Sequence, residues 1–342
     1  MSGLSLAPDI IGTIQAMQSM GGVCVICNSS TDSLDVVRNP KYVDVIDQSR
    51  ILQLNIPLYT LIDRLHDDAE IISKVESIIG NSKLIGLIGM PRVSVFGLNI
   101  AEICQKIEEK FQRPSIANGC DGTKFYDDGL QEVYLSLLFR MTESQQPKKK
   151  WSLGVLGVTP FDFEVCYVDS LRRRYTRKGW QKIYCFGSDN GLEIFRDASS
   201  IEENLVVAPS GFPAARFLQK TFGIPFHIDY PLFMSEMQIH ISDKPNGYER
   251  ILIVHQQFKA NSFRHWLQTQ YPVSRIVVAS FFTMQNYLCQ PYDCRLKTVE
   301  DFSKLVSKNK FDCILADPNL KQFLPKRWRG DFFDMPHFAI SN

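Results

Sequence analysis

Three cysteines are the side chains in this chain whose type and spacing best suit metal chemistry. Cys24 and Cys27 form a C-x-x-C pair, and Cys120 lies in a short loop with glycines on both sides. Thiolates bind zinc and iron–sulfur clusters, so all three cysteines are candidate metal ligands. The pair lies within an apolar stretch that is typical of a strand, where residues three apart point to opposite faces. Two thiols buried as small hydrophobic groups are therefore the alternative, and Cys120 is the cysteine expected to be exposed.

A second group of candidates consists of short polar residues that follow predicted strands. The residues predicted to bind a ligand are Thr159, Ser188, Ser210, Gly211 and His255. The pattern is plainest at 204–226, where an apolar strand ends in a Pro-Ser-Gly turn that leads directly into a helix. Backbone N–H groups at such a turn favour a polar or anionic ligand. A well-formed turn that binds nothing is the alternative.

The elements that must position these residues alternate between strand and helix. Short apolar runs predict strands, and the amphipathic stretches between them predict helices. The strands are predicted at 23–27, 84–88, 114–117, 153–158, 182–186, 205–207, 250–255, 275–280 and 313–316, with a further extended segment from 224. Alternation of this kind predicts parallel sheets with helical crossovers. The predicted fold class is α/β, with three Rossmann-like units, each a parallel sheet flanked by helices, and a cleft at their meeting point.

Two polar segments divide the predicted units. The segment 143–150 contains a proline and three lysines, and the segment 243–247 reads Asp-Lys-Pro-Asn-Gly. Such composition is typical of linkers. The predicted domains are therefore 1–148, 149–244 and 245–342, the first of which contains the three candidate metal ligands.

The overall composition is that of an ordinary globular protein. The chain has 342 residues, of which 44% are hydrophobic, with 38 basic and 37 acidic side chains. A net charge this close to zero argues against nucleic acid or an anionic membrane surface as a partner. No apolar run approaches the roughly 20 residues that span a bilayer, and the N-terminus lacks a signal-peptide pattern. We therefore expect a cytoplasmic protein with reduced thiols.

Several longer stretches, in the same order along the chain, resemble one known family. They are GLIGMPRVSVFGLNIAEICQKIEEKF with the following RPSIANGCDG, SLGVLGVTPFDF, VVAPSGFPAARFLQKTFGIPF, FDCILADPNL and DMPHFAIS. They are similar to the nitrogenase component 1 family, which includes the nitrogenase molybdenum–iron protein subunits, their cofactor-scaffold relatives and the dark-operative protochlorophyllide reductase subunits. The resemblance extends over nearly the whole chain.

The resemblance implies an oxidoreductase subunit. Such a subunit accepts electrons from an ATP-dependent iron–sulfur reductase partner and reduces a ligand held in the cleft between domains. It works as a homodimer or as a heterodimer with a related subunit. An iron–sulfur cluster, held by first-domain cysteines, is the cofactor that the resemblance implies.

The chain departs from this family at the cluster ligands. Two family Cys-Pro pairs correspond here to Ala7-Pro8 and Met90-Pro91, and Cys27 does not fall cleanly on a ligand position. Where catalytic members place a cofactor-ligating cysteine in the second domain, this chain has Ala208 or Pro209. Methyl and thioether groups do not replace thiolates on a cluster. Two alternatives to the oxidoreductase therefore remain: a non-redox binding or scaffold protein that kept the fold, and a structural partner of a cluster-bearing subunit.

Overall fold

The first of three parallel sheets is built from the N-terminal third of the chain. The computed structural model describes residues 4, 6–29, 34–62, 68–163, 165–188, 191–232, 247–270, 272 and 274–340. The strands are β1 (Gly22–Asn28), β2 (Ile51–Asn55), β3 (Leu84–Gly89) and β4 (Ser115–Gly119), in the order β2-β1-β3-β4. The helices are α1 (Asp9–Ser19), α2 (Leu58–Ile62), α3 (Asp68–Ile79), α4 (Pro91–Val95), α5 (Ile100–Phe111) and α6 (Tyr126–Met141).

The second sheet repeats the strand order of the first. Its strands are β5 (Lys149–Leu156), β6 (Lys182–Cys185), β7 (Ile201–Val206) and β8 (Phe226–Ile228), in the order β6-β5-β7-β8. Its helices are α7 (Val165–Arg177), α8 (Glu193–Arg196) and α9 (Phe212–Phe222). The predicted turn after β7 is a short 3₁₀ helix at Pro209–Gly211, and Gly223 ends α9 in the left-handed conformation.

The third sheet has five strands in the doubly wound order. They are β9 (Arg250–Val254), β10 (Arg275–Ser280), β11 (Cys294–Arg295), β12 (Cys313–Ala316) and β13 (Asp331–Asp334), arranged as β11-β10-β9-β12-β13. The helices are α10 (Gln257–Gln270) and α11 (Val299–Lys308). Every strand pair in all three sheets is parallel.

The predicted fold class of three parallel α/β units is confirmed, with differences in detail. Strands β2, β11 and β13 were not predicted, and the segment 143–150 is not a linker throughout, because Lys149 and Lys150 belong to β5. The polar start of β5 pairs with β7 through Lys149, and the register shifts between Lys149 and Leu153, where Trp151 has a φ of 60°. The domain boundary at 148 stays a prediction, and the boundary at 244 lies outside the described residues.

The parallel arrangement brings the carboxyl ends of all strands of a sheet to one edge. In each sheet the strand order reverses beside the first strand, at the β1–β3, β5–β7 and β9–β12 pairs. Crevices at such reversals are where open α/β sheets bind ligands. The polar residues that follow these strands are therefore the candidates for ligand binding.

Helices α1 and α6 pack closely enough for their backbones to touch. A Cβ atom on Gly12 would lie 1.9 Å from the Tyr126 carbonyl oxygen, and one on Gly129 would lie 2.1 Å from the Asp9 carbonyl oxygen. Only glycine allows this approach. The contact fixes the start of α6, and therefore Tyr126, against the N-terminal segment.

One hydrophobic core extends through all three sheets. It includes Ile14 of α1, Leu156 of β5 and Leu252 of β9, all fully buried. Smaller cores cover the outer faces of the first and third sheets. Among the residues described, no helix combines the length and apolar composition that a membrane crossing requires.

Candidate functional site

Polar and aromatic side chains from the three units meet where their sheets come together. Asp162 lies in the turn after β5, and His255, Phe282 and His337 follow β9, β10 and β13. Tyr126 is the first residue of α6. We call these five residues the junction cluster, because they join all three units.

The centre of the junction cluster is a hydrogen-bonded group of three residues. The Tyr126 hydroxyl donates to Asp162 Oδ1 at 2.9 Å, and His337 Nε2 lies 3.3 Å from the same oxygen. Tyr126 Oη and His337 Nε2 are 3.4 Å apart. The side chains of Asp162 and His337 are completely buried. Hydrogen bonds in such dry surroundings are electrostatically stronger than in water.

Backbone contacts determine which nitrogen of His337 carries a proton. The Ala339 N–H donates to His337 Nδ1 at 3.2 Å, so Nδ1 is an acceptor. The proton of a neutral ring therefore lies on Nε2, where it is donated to Asp162. The Asp317 carboxylate accepts the His337 N–H at 3.0 Å and holds the backbone in place.

His255 is held in the same tautomer and packs on His337. The Gln256 N–H donates to His255 Nδ1 at 2.8 Å, and Nε2 lies 3.3 Å from the Pro336 carbonyl oxygen. The two imidazole centroids are 4.5 Å apart. Burial first, and then the neighbouring His337 and Lys259, lower the pKa of His255 well below its usual value. His255 is therefore a neutral hydrogen-bonding group rather than a cation.

Aromatic rings enclose the polar centre. Phe282 stacks on His337 at 4.6 Å between centroids and meets Tyr126 edge-on at 4.9 Å. Phe161 also packs against Tyr126, with 4.6 Å between the ring centroids. These rings exclude water, so unpaired polar atoms at the junction pay a desolvation cost.

Several buried polar atoms at the junction have no hydrogen-bond partner among the described residues. They are Asp127 Oδ1, Asp162 Oδ2, Ser210 Oγ and Gln256 Nε2. Burial first, then the nearby Asp128 and to a smaller extent Asp162, together raise the pKa of Asp127 to about 6. The Thr283 N–H opposes this shift by donating to Asp127 Oδ2 at 2.8 Å. The junction therefore offers carboxylate oxygens as unused acceptors.

Four of the five residues predicted to bind a ligand are buried, and the fifth is exposed. Thr159, Ser210 and His255 are at most 2% exposed, and Gly211 is also buried, whereas Ser188 is exposed. His255 belongs to the junction cluster, and the Thr159 carbonyl accepts the Asp162 N–H at 3.0 Å. The turn that carries Ser210 packs against α6. Gly211 has a packing role, because a Cβ atom there would lie 2.5 Å from the Leu156 carbonyl carbon.

Tyr126, Asp127 and Asp162 are not among the site residues predicted from the sequence. Asp162 lies in a predicted turn after a predicted strand, which is the signal that selected Thr159 three residues earlier. Tyr126 and Asp127 precede the predicted start of a helix, and the structure begins that helix two residues earlier than Asp128. His337 was noted only as part of the DMPHFAIS stretch.

The three predicted metal ligands do not lie together. Cys24 Sγ is 3.8 Å from Met17 Sδ, and Cys120 Sγ is 3.5 Å from Thr13 Oγ1, so both thiols contact α1. Cys27 lies on the opposite face of β1, in a separate hydrophobic core. The expectation of an exposed Cys120 is wrong, because that residue is 3% exposed. Among the described residues, no group of three or more His, Cys, Asp or Glu side chains is placed to hold a metal ion.

Burial also keeps these thiols protonated. It raises the pKa of Cys24, and it raises the pKa values of Cys27 and Cys120 to about 12. A thiol must lose its proton to bind a metal or to react. Metal binding by Cys24, Cys27 and Cys120 stays a prediction that the geometry does not favour.

The positions that correspond to family cluster ligands do not fit an iron–sulfur cluster. Ala7 presents a methyl group and Met90 a thioether. The Met90 N–H donates to the Cys27 carbonyl oxygen at 3.0 Å, so the two residues are neighbours, but Cys27 is fully buried. One buried thiol beside a thioether is not a cluster donor set.

Comparison with known proteins gives matches in structure only. No known family model matches this chain, and no curated protein matches it. A solved structure of nitrogenase Cp1 at pH 6.5 is similar over 99% of this chain and 87% of that chain, with a TM-score of 0.72 and 9% sequence identity. A structure of nitrogenase Cp1 at pH 5 is similar over 94% of this chain and 82% of that chain, with a TM-score of 0.64 and 12% identity. The family resemblance is thus confirmed at the level of the fold, and the chain has a nitrogenase-like fold.

Proposed function

We propose that this protein is a non-redox binding protein that encloses a small polar ligand at the junction of its three units. The observation that carries the proposal is the set of buried polar atoms without partners around the junction cluster. A buried acceptor without a donor costs on the order of 1–3 kcal/mol, and a ligand that supplies donors removes that cost.

The chemistry of the junction narrows the ligand class. In the described part of the chain, Asp127 and Asp162 each have one carboxylate oxygen that accepts no hydrogen bond. Two carboxylates in dry surroundings repel an anion and favour a ligand with N–H or O–H groups. The sequence predicted a polar or anionic ligand, and these carboxylates support the polar one.

The ligand would be enclosed rather than bound on the surface. The side chains of Asp162 and His337 are inaccessible to solvent, and His255 is 2% exposed. Entry therefore requires the units to move apart, as domains do when they close around a ligand. Once the units close, polar residues from every unit would contact the ligand in addition to one another.

The side chains at the cluster-ligand positions do not support the oxidoreductase function. Electron transfer from an ATP-dependent iron–sulfur reductase requires a redox group, and Ala7, Met90 and the buried Cys27 cannot hold a cluster alone. A dimer with a related subunit, which could supply thiolates, stays a prediction. We assign this chain no redox step.

The test is native mass spectrometry of protein purified without oxygen, with iron and acid-labile sulfide measured on the same sample. We expect a small molecule that dissociates when the protein unfolds, and iron and sulfide far below one atom per chain. Several irons per chain, with the visible absorption of an iron–sulfur cluster, would contradict the non-redox proposal. Protein that retains no small molecule, and binds none from a cell extract, would contradict ligand binding.

A further inference from the structure

A groove on the first unit has the size and rigidity of a small-molecule site. It encloses about 580 Å³ and is lined by Gln15, Gln18 and Ser19 of α1 and by residues 43–50. Sites for small ligands range from roughly 300 to 1,000 Å³. The groove lies outside the junction cluster.

The wall of the groove is held in a fixed conformation. The Gln18 side chain bonds both backbone groups of Asp47, donating to its carbonyl oxygen and accepting its N–H, each at 2.8 Å. The Gln48 side chain donates to the Val37 carbonyl oxygen at 2.6 Å. A wall that is already ordered loses little conformational entropy when a ligand binds.

Gln15 is a buried polar side chain in the floor of the groove. It is 5% exposed, and its Oε1 accepts a long hydrogen bond of 3.5 Å from Thr159 Oγ1. Within the described part of the chain this is the hydrogen bond that the Gln15 side chain makes. Its amide N–H groups are therefore available to an acceptor in the groove.

Arg50 places a guanidinium cation in the groove wall, and one of its N–H groups makes a hydrogen bond to α1. Its side chain is half-buried, and Nη1 donates to the Gln18 carbonyl oxygen at 3.3 Å. Among the described residues Arg50 forms no ion pair, but the hydrogen bonds from Ser49 and, to a smaller extent, the Arg50 charge lower the pKa of Asp47. A planar guanidinium with free N–H groups matches a carboxylate in geometry and charge.

Two carboxylates that line the groove restrict the ligand further. Asp47 Oδ1 accepts from the backbone and hydroxyl of Ser49, at 2.9 and 2.6 Å, and Asp44 is exposed. A polyanion would be repelled by both, whereas a ligand with one carboxylate and one ammonium group would be attracted at both ends.

We propose that this groove binds a small ampholyte of the α-amino acid type. Its carboxylate pairs with Arg50, its ammonium group faces Asp44 and Asp47, and an acceptor in its side chain meets the Gln15 amide. This inference does not depend on the proposed function, since the two sites share no residue and take different probes.

The test is isothermal titration of the purified full chain with the common α-amino acids, one at a time, and with succinate and inorganic phosphate. We expect one or a few amino acids to bind, and succinate and phosphate to bind more weakly. No binding of any amino acid, or tighter binding of succinate or phosphate, would overturn the proposal.

Variants locate the binding. Arg50→Gln should weaken the amino acid by on the order of tenfold or more, because a charge-assisted pair is lost. The control is Arg38→Gln, since Arg38 is exposed and donates instead to Gln53 Oε1 at 2.6 Å. If Arg50→Gln does not fold, Gln15→Leu tests the floor of the groove in its place. Equal affinity in wild type and the folded variant would overturn the assignment.

Discussion

The buried thiols of the first unit and the junction cluster are both shut off from solvent, but burial leaves them in different states. Cys24 and Cys27 lie among apolar side chains, where a neutral, protonated thiol has little desolvation cost. Asp162 and Asp127 keep carboxylate oxygens that nothing in the described part of the chain satisfies. Free cysteines behave as small hydrophobic groups, whereas a buried carboxylate must find donors. Buried polar atoms without hydrogen-bond partners are therefore a better indication of a binding site than buried thiols are.

The largest expected effect comes from removing the imidazole of His337. In the described part of the structure, the variant His337→Ala leaves Asp162 Oδ1 with the Tyr126 hydroxyl as its one donor and opens a cavity beside Phe282. We expect a loss of about 3–5 kcal/mol in the free energy of unfolding, measured by urea denaturation. His265→Ala is the control, since His265 is exposed on α10 and should change stability by less than about 0.5 kcal/mol. A loss below about 1 kcal/mol for His337→Ala would show that the junction cluster contributes no more to stability than a buried cysteine such as Cys24.

Asp127 and His255 should affect the pH dependence of stability in opposite directions. The pKa of Asp127 is raised from 3.8 to about 6, so the folded state binds this proton more tightly, and the contribution of Asp127 to stability falls as pH rises from about 4 to 6. The fall is at most about 3 kcal/mol. The pKa of His255 is lowered from 6.5, so its contribution falls as pH drops below 6.5.

Single substitutions should reveal these opposed contributions in urea titrations at several pH values. Relative to wild type, Asp127→Asn should lose stability on acidification, and His255→Asn should gain it. Parallel pH profiles for wild type and both variants would contradict the assigned burial of these groups.

A smaller effect is expected from removing one hydroxyl. Tyr126→Phe removes the 2.9 Å hydrogen bond to Asp162 Oδ1 and keeps the ring packing. We expect a loss of about 2 kcal/mol in the free energy of unfolding, which is typical of a hydrogen bond to a charged group. In combination with His337→Ala the losses should not add, because both residues contact one carboxylate. Additive losses would contradict a shared network.

The smallest effect is expected in the thiol region. Cys24→Ala should cost about 1 kcal/mol, since it removes one buried sulfur from a well-packed core. Metal content, measured by plasma mass spectrometry, should be the same in Cys24→Ala, Cys27→Ala and wild type. Loss of a bound metal in either variant would restore the metal-site prediction.

The fold was predictable because its strands are short apolar runs between amphipathic helices. Strand β2 was missed, since its sequence Ile-Leu-Gln-Leu-Asn is half exposed and follows a polar loop. Strand β13 was missed because Asp-Phe-Phe-Asp is a four-residue edge strand with acidic ends. Pattern recognition fails for strands whose apolar faces are this small.

The candidate site was predictable only one unit at a time. His255 was found because it directly follows an apolar strand. Its partner His337 and their neighbour Tyr126 are 211 residues apart in the chain, and no local pattern brings them together. Whether a polar residue at the end of a strand is buried with an unpaired atom depends on how the units pack, and sequence patterns do not report this.

The most direct test of ligand binding at the junction compares Asp162→Asn with a control in the same unit. Asp169→Asn is that control, because the Asp169 side chain is 69% exposed on α7. The two variants and wild type are purified in parallel under the same conditions. Native mass spectrometry then measures the fraction of each protein that retains a small molecule. Ligand retained by wild type and Asp169→Asn and lost from folded Asp162→Asn is the predicted result. Ligand retained equally by all three proteins would contradict the account, as would wild-type protein that neither retains a small molecule nor binds one from a cell extract.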